Sequence, residues 1–372
     1  MVPKSVKRIA ISGYYGFNNS GDEAVLQSIL LALQAEGAAQ GVQVEPVVLS
    51  ADPNGTAKMY GVEAVPRMKL GEMAAALRRC DGLISGGGSL LQDATGALTI
   101  PYYLGILRIA QWLGKPTFIY SQGIGPVYRR IYDPFIRMVF KKCRYISVRD
   151  QESADLLVRM GVPSGRIDVV PDPVMGLPRK LDAGAAAAGS RDLPVVGVSV
   201  RFWNKERAEL DALAAAIVEA ARDRDAVYRF LPFHLPSDEE ASRHVIHRIG
   251  QAARTELASG ITHPQDMLAE VGACDALIGM RLHSLIYAAS QSVPLMGISY
   301  DPKINQFLQR LDMQASASTA PDKIDFSAEQ VKVDLLGLLE GASAWRSAKQ
   351  DRIQRLKQEA NRPAQQILAA LR

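Results

Sequence analysis

The spacing of apolar residues changes repeatedly along the chain. RIAIS (8–12) is a short β-rich run and predicts a strand, while 22–33 repeats at helical spacing. VQVEPVVLS predicts a second strand and GEMAAALRRC a helix; DGLIS then leads into Gly86-Gly87-Gly88. An apolar helix is expected around 102–113, followed by PTFIYS as a buried strand. YISV (145–148) is another strand, before a helix from Asp150. Strands alternating with helices in this way predict a parallel sheet covered on both faces.

This alternation pauses at 178–192, PRKLDAGAAAAGSRD, whose Ala, Gly and polar residues predict a linker rather than a surface loop within one domain. It then restarts. PVVGVSV is a strand, 205–223 a helix, AVYRFLPF a strand and 236–250 a helix. DALIGM, a helix over 282–290 and PLMGISY complete a second βαβ series. The expected organisation is α/β, with two Rossmann-like halves facing a cleft: 1–178, a linker at 179–192, 193–342, and a charged C-terminal helix at 343–372. Ligands in such halves gather beyond the carboxyl ends of the strands.

Composition narrows the class. With 48% hydrophobic and 22% charged residues over 372 positions, the chain is globular and long enough for two domains. No apolar stretch approaches the roughly 18 residues of a membrane span. The basic N-terminus loses its apolar run at Ser12-Gly13, which makes a poor signal peptide. Cys80, Cys143 and Cys274 are odd in number and lack metal-ligand spacing, so neither a disulfide framework nor a zinc site is expected. A cytoplasmic location follows as the expectation. The net charge of +4 is modest, and no nucleic-acid partner is expected.

Four segments fall at predicted strand ends. GYYGFNNSGDE (13–23) enters a helix with Asn19, Asp22 and Glu23 at its start, where acidic residues suit the helix dipole. Its glycine spacing is not that of a dinucleotide fingerprint, and a capped turn fits equally well. SGGGSLLQD (85–93), with Gly87 and Gly88, permits close approach of a ligand or of another chain segment. SQGIGPV (121–127) is a third glycine-rich strand end. The fourth is IGMRLHSLIYAAS (278–290), followed by ISYDPK (298–303): Arg281 and His283 begin a helix and Lys303 ends the next strand segment. A helix N-terminus with these neighbours suits an anion. Arg201 after PVVGVSV and Arg149 after YISV add cations at other strand ends, so an acidic substrate is expected.

GYYGFNNSGDEAVL, SGGGSLLQD, SQGIGP, SVRD, MRLHS and SYDPK, in order between about residues 7 and 310, together resemble the polysaccharide pyruvyl transferase family, with most likeness to its CsaB branch. The resemblance implies a fold similar to GT-B glycosyltransferases. It also implies transfer of the enolpyruvyl carbons of phosphoenolpyruvate onto two hydroxyls of a sugar, giving a pyruvate ketal and phosphate. In the CsaB branch the sugar is similar to the N-acetylmannosamine of a lipid-linked secondary cell-wall polymer precursor, which anchors S-layer proteins. Arg149, His283 and Lys303 match positions that the family uses at its active site.

The residue types suit that chemistry. Phosphoenolpyruvate carries a carboxylate and a phosphate, for which Arg201, Arg281 and Lys303 are candidate partners. Histidine exchanges protons near neutral pH, which makes His283 the candidate acid or base. Asp22, Glu23 and Asp172 are alternatives for taking the sugar hydroxyl proton. No cofactor is expected beyond phosphoenolpyruvate as co-substrate, and no metal-ligating cluster stands out. The segment 128–144 carries six Lys/Arg against one Asp, interleaved with aromatics, and predicts a basic amphipathic helix suited to an anionic membrane. Two other functions remain open on these grounds: a nucleotide-sugar glycosyltransferase or epimerase, and a non-catalytic polymer- or membrane-binding protein.

Overall fold

The computed structural model describes residues 5–94, 96, 98–179, 192–320 and 323–372. The chain groups into two compact units, Met1–Leu177 with Leu356–Arg372, and Pro178–Arg355. Of the expected linker, 180–191 lie outside the described residues.

The first unit is built on an eight-stranded sheet. Its strands are β1 (Ser5–Ser12), β2 (Val42–Ser50), β3 (Glu63–Pro66), β4 (Gly82–Ser85), β5 (Gly88–Leu91), β6 (Thr117–Ile124), β7 (Tyr145–Val148) and β8 (Ile167–Val169). They run in the order β3-β2-β1-β4-β6-β7-β8, with β5 beside β6, and the pairings are parallel. Alternate strand residues explain why both faces are covered. Ala10, Val47, Leu49, Leu83 and Ile119 pack with Met73, Leu77, Leu104 and Leu107 on one side. The buried residues between them, Ile9, Ile11, Val48, Ile84 and Phe118, serve the other side. There helix Ser20–Gln40 packs on β2, and helix Arg362–Ala370 packs on both Ser20–Gln40 and β6.

Three expectations change in this unit. The strand expected to end at Ser121 runs on to Ile124 as β6; a register shift after Ile119 and a left-handed Ser121 (φ 45°) let it continue. Gly88–Leu91 likewise forms a strand, β5. The basic helix expected over 128–144 covers only Asp133–Phe140, after a single 3-10 turn at Arg130–Tyr132. Pro134 is tolerated in a first helical turn but not in an interior, so the helix starts at Asp133. Ahead of it, the N–H groups of Tyr128 and Arg129 donate to the Asp93 carboxylate at 2.8 and 2.9 Å.

The second unit repeats the plan with β9 (Val195–Ser199), β10 (Val227–Phe230), β11 (Arg254–Leu257), β12 (Ala276–Gly279), β13 (Leu295–Ser299), β14 (Ala317–Ala320) and β15 (Lys323–Asp325). The order is β11-β10-β9-β12-β13-β14-β15, parallel apart from the antiparallel pair β14–β15. In each unit the strand order reverses next to the first strand, between β1 and β4 and between β9 and β12. Crevices at such reversals are where open α/β sheets bind ligands. No helix among the described residues is long and apolar enough to cross a membrane.

Candidate functional site

In the first unit the reversal is walled by the loop from β1 into helix Ser20–Gln40. Gly16 takes a positive φ of 80°, and its N–H donates to Glu23 Oε1 at 2.8 Å. The Tyr60 hydroxyl donates to the other Glu23 oxygen at 2.7 Å. Burial pushes the Glu23 carboxyl above its usual range against these bonds. Glu23 therefore holds the loop closed. Asn19 caps the helix, its side chain accepting from Gly21 N at 3.1 Å. Asp22 is partly exposed; a Cβ placed on Gly88 would lie 3.0 Å from its Oδ1. A Cβ on Gly87 would lie 2.9 Å from Val25, so that glycine serves helix packing.

Arg149, after β7, is buried. Its Nη2 donates to Ser89 Oγ at 2.9 Å, and its other nitrogens pair with Asp172 at 3.4 Å and Asp150 at 3.5 Å. Asp172 also accepts Val174 N at 3.1 Å. Two carboxylates thus balance this guanidinium, and it ties the ends of β5, β6 and β7 together. A further cation stands here that no local sequence signal marks. Arg67 follows β3, whose four residues ending in proline gave no strand signal, and sits among the rings of Tyr14, Phe17, Tyr102 and Tyr103.

In the second unit four adjacent strands, β10, β9, β12 and β13, deliver side chains to one edge. Register pairs Ser199 with Gly279 and Gly279 with Gly297, so Arg201, Arg281 with His283, and Lys303 all follow aligned strand ends. Arg201 Nη1 donates to the Tyr300 hydroxyl at 2.9 Å, and its guanidinium lies 4.9 and 5.4 Å from the Tyr300 and Trp203 ring centroids. Arg281 grips the buried Asp238 with two nitrogens, Nε at 2.8 Å and Nη2 closer. Asp238 also accepts the His234 N–H at 3.0 Å. His283 occupies the first turn of helix Leu282–Ser290, partly buried. Lys303 lies in the first turn of the next helix, with Nζ 4.0 Å from Asp301.

His234 was not foreseen. Its ring titrates below the usual histidine value, because it is partly buried and because the charges of Arg281 and Arg201 oppose its protonation. The same rule that found Arg201 would have found it: it stands four residues after β10, in PFHLPSD. Among the described residues, no group of three or more His, Cys, Asp or Glu side chains could hold a metal ion.

A family model described as polysaccharide pyruvyl transferase matches residues 19–302. The amylovoran biosynthesis protein AmsJ of Erwinia amylovora is 21% identical over 285 residues, spanning 71% of this chain and 67% of AmsJ. Among solved structures, UDP-GlcNAc 2-epimerase from Neisseria meningitidis, bound to UDP-GlcNAc, superposes with a TM-score of 0.58 at 11% identity, covering 93% of this chain and 94% of its own. HepE of Anabaena, in complex with UDP and glucose, gives 0.60 at 13% identity over 98% and 99%. A glycosyltransferase from Rickettsia africae gives 0.63 at 9% identity over 98% and 97%. At these identities the likeness establishes the GT-B-like fold alone.

Proposed function

This chain belongs to the polysaccharide pyruvyl transferase family, and from that premise we propose that it transfers the enolpyruvyl group of phosphoenolpyruvate to two hydroxyls of a saccharide in polysaccharide biosynthesis. The observation that carries the reading is the row of cationic and imidazole side chains at four neighbouring strand ends of the second unit. A donor with both a carboxylate and a phosphate needs several fixed cations, and Arg201, Arg281 and Lys303 supply them.

In the reaction a proton reaches the methylene carbon, and C2 gains cationic character. The first sugar hydroxyl adds to C2, the C2–O bond to phosphate breaks with the electron pair leaving on phosphate, and the second hydroxyl closes the ketal. The two hydroxyl protons balance the one delivered to carbon and the one gained by phosphate. We assign the proton on carbon to His283, and Arg201 and Lys303 to the leaving phosphate. Asp238 holds Arg281 in place through Nε and Nη2, and we assign the remaining N–H groups of Arg281 to the donor carboxylate. For the sugar hydroxyl proton the candidate bases are Asp22, Glu23 and Asp172, of which Glu23 and Asp172 also accept backbone N–H groups. Arg149 acts as a positioning residue, bound as it is to Asp150 and Asp172.

The acceptor we infer is a lipid-linked saccharide of the cell-wall polymer type, with N-acetylmannosamine as the sugar. The exposed Tyr128, Ile131, Phe135 and Met138 lie among Arg129, Arg130, Lys141 and Lys142, a mixture suited to an anionic bilayer surface. The test is a pair of measurements. Phosphoenolpyruvate should raise the melting temperature, and an added acceptor should release phosphate from it. Stabilisation by UDP-sugars with no response to phosphoenolpyruvate would favour a nucleotide-sugar enzyme instead.

A further inference from the structure

We propose that Arg67 and the rings around it form an oxyanion-reading site in the first unit, one that binds a saccharide carrying its own negative charge. Arg67 is only 8% exposed, and its main chain is fixed at both ends. Its N–H donates to Ser50 O at 2.9 Å, and its carbonyl accepts the Tyr102 hydroxyl at 3.0 Å. The guanidinium donates to Gly13 O at 3.1 Å and to Tyr103 Oη at 3.3 Å. Ring centroids of Tyr102, Phe17, Tyr103 and Tyr14 stand 4.5, 5.2, 5.6 and 5.9 Å from its central carbon.

The partners are all neutral. Among the described residues no carboxylate forms an ion pair with Arg67, whereas the other well-covered guanidiniums, Arg149 and Arg281, are each matched by one or two. Ring faces and neutral oxygens hold a cation in place without cancelling its charge. A guanidinium offers five N–H groups in a fork that fits a carboxylate or phosphate edge, and Gly13 and Tyr103 take one each. A desolvated charge with no carboxylate bonded to it is set to pair with an anion from outside.

The surroundings say what carries that anion. Tyr14 is 38% exposed and lies flat on Phe17, with centroids 4.0 Å apart and planes 7° off parallel. Such a face packs against the C–H side of a pyranose ring. A sugar on Tyr14 with its charged substituent on Arg67 would use both features; a neutral sugar would use one. Uronate carboxylates and sugar phosphates share this chemistry. Calling the saccharide the acceptor rests on the pyruvyl-transfer reading, but the binding itself does not.

The experiment is calorimetric titration of the full chain, at constant ionic strength, with D-glucuronate, D-glucose 1-phosphate and D-glucose. Wild type should bind at least one of the two anions about tenfold more tightly than glucose, and which one identifies the group read. Arg67→Gln should abolish the preference, and Arg67→Lys should restore part of it. Tyr14→Ala, at a more exposed position, should weaken whichever anion binds, whether or not the Arg67 variants fold. Equal binding of glucose, no binding of either anion, or anion binding unchanged in Tyr14→Ala would overturn the proposal. So would a preference that survives in folded Arg67→Gln, since the anion would then be held elsewhere. None of these outcomes depends on phosphoenolpyruvate turnover, so they stand apart from the fate of the transfer reaction.

Discussion

Replacing Asp238 by alanine should unfold the second unit at a markedly lower temperature. The Asp238 side chain is 1% exposed and that of Arg281 16%, so the pair is largely withdrawn from water. Removing the carboxylate leaves the guanidinium without its counter-charge and the His234 N–H without its acceptor. Breaking a buried pair on one side costs about 3–5 kcal/mol. For a unit of this size each kcal/mol lowers the midpoint by about 2–4 °C, which predicts a fall of about 6–20 °C. The cost comes from a stranded charge, so Asp238→Ala/Arg281→Ala should melt higher than Asp238→Ala alone, with a coupling of about 1–3 kcal/mol. Added salt should not rescue the single variant, because screening barely reaches a buried pair. Calorimetric melts of the four proteins measure all of this. A single variant within about 2 °C of wild type, or strictly additive effects in the double variant, would refute the reasoning.

Gly16→Ala should destabilise by about 2 kcal/mol or more, since φ is 80° and the new methyl would clash with Ser50 Oγ and the Asp52 backbone nitrogen; equilibrium denaturation checks this. Gly71→Ala, in an open helical position with nothing within 4 Å, should instead be neutral or stabilising in the same assay. The depressed titration of His234 means that the unfolded chain takes up its proton first. The residue's contribution to stability is therefore complete above about pH 6.5 and is lost as pH falls through the lower folded value; His234→Gln should flatten that part of the stability profile. Reversing the charge of Arg129, Arg130, Lys141 and Lys142 should abolish cosedimentation with anionic vesicles at low salt, while activity on a short soluble acceptor persists.

Much of the fold was written in the apolar periodicity. The helix expected over 282–290 is found as Leu282–Ser290, and the glycines at 86–88 lie at the end of a buried strand as expected. Failures arose where tertiary contacts outweigh the local pattern. Residues 121–124 contain Gly123 and a left-handed Ser121, yet neighbours on both sides carry them into β6. The basic segment satisfied helical periodicity throughout, but Pro134 and the Asp93 carboxylate set a later start. Within the candidate site, residues next to long apolar strands were legible. Asp238, the partner of Arg281, was not, because the two are 43 positions apart and only the fold brings them together. Arg67 was hidden for a related reason: its aromatic neighbours come from around residues 14 and 102, and nothing local marks their convergence.

The central claim is the formation of a ketal from phosphoenolpyruvate, and mass analysis of the acceptor tests it most directly. Incubated with phosphoenolpyruvate and a lipid-linked saccharide, the protein should add to the acceptor the mass of one pyruvate less one water. One phosphate should appear per product, and folded His283→Ala should lose about 10²–10⁴ of the rate. An acceptor that gains a hexose from a UDP-sugar, or that stays unchanged across saccharides while phosphoenolpyruvate remains intact, would contradict it.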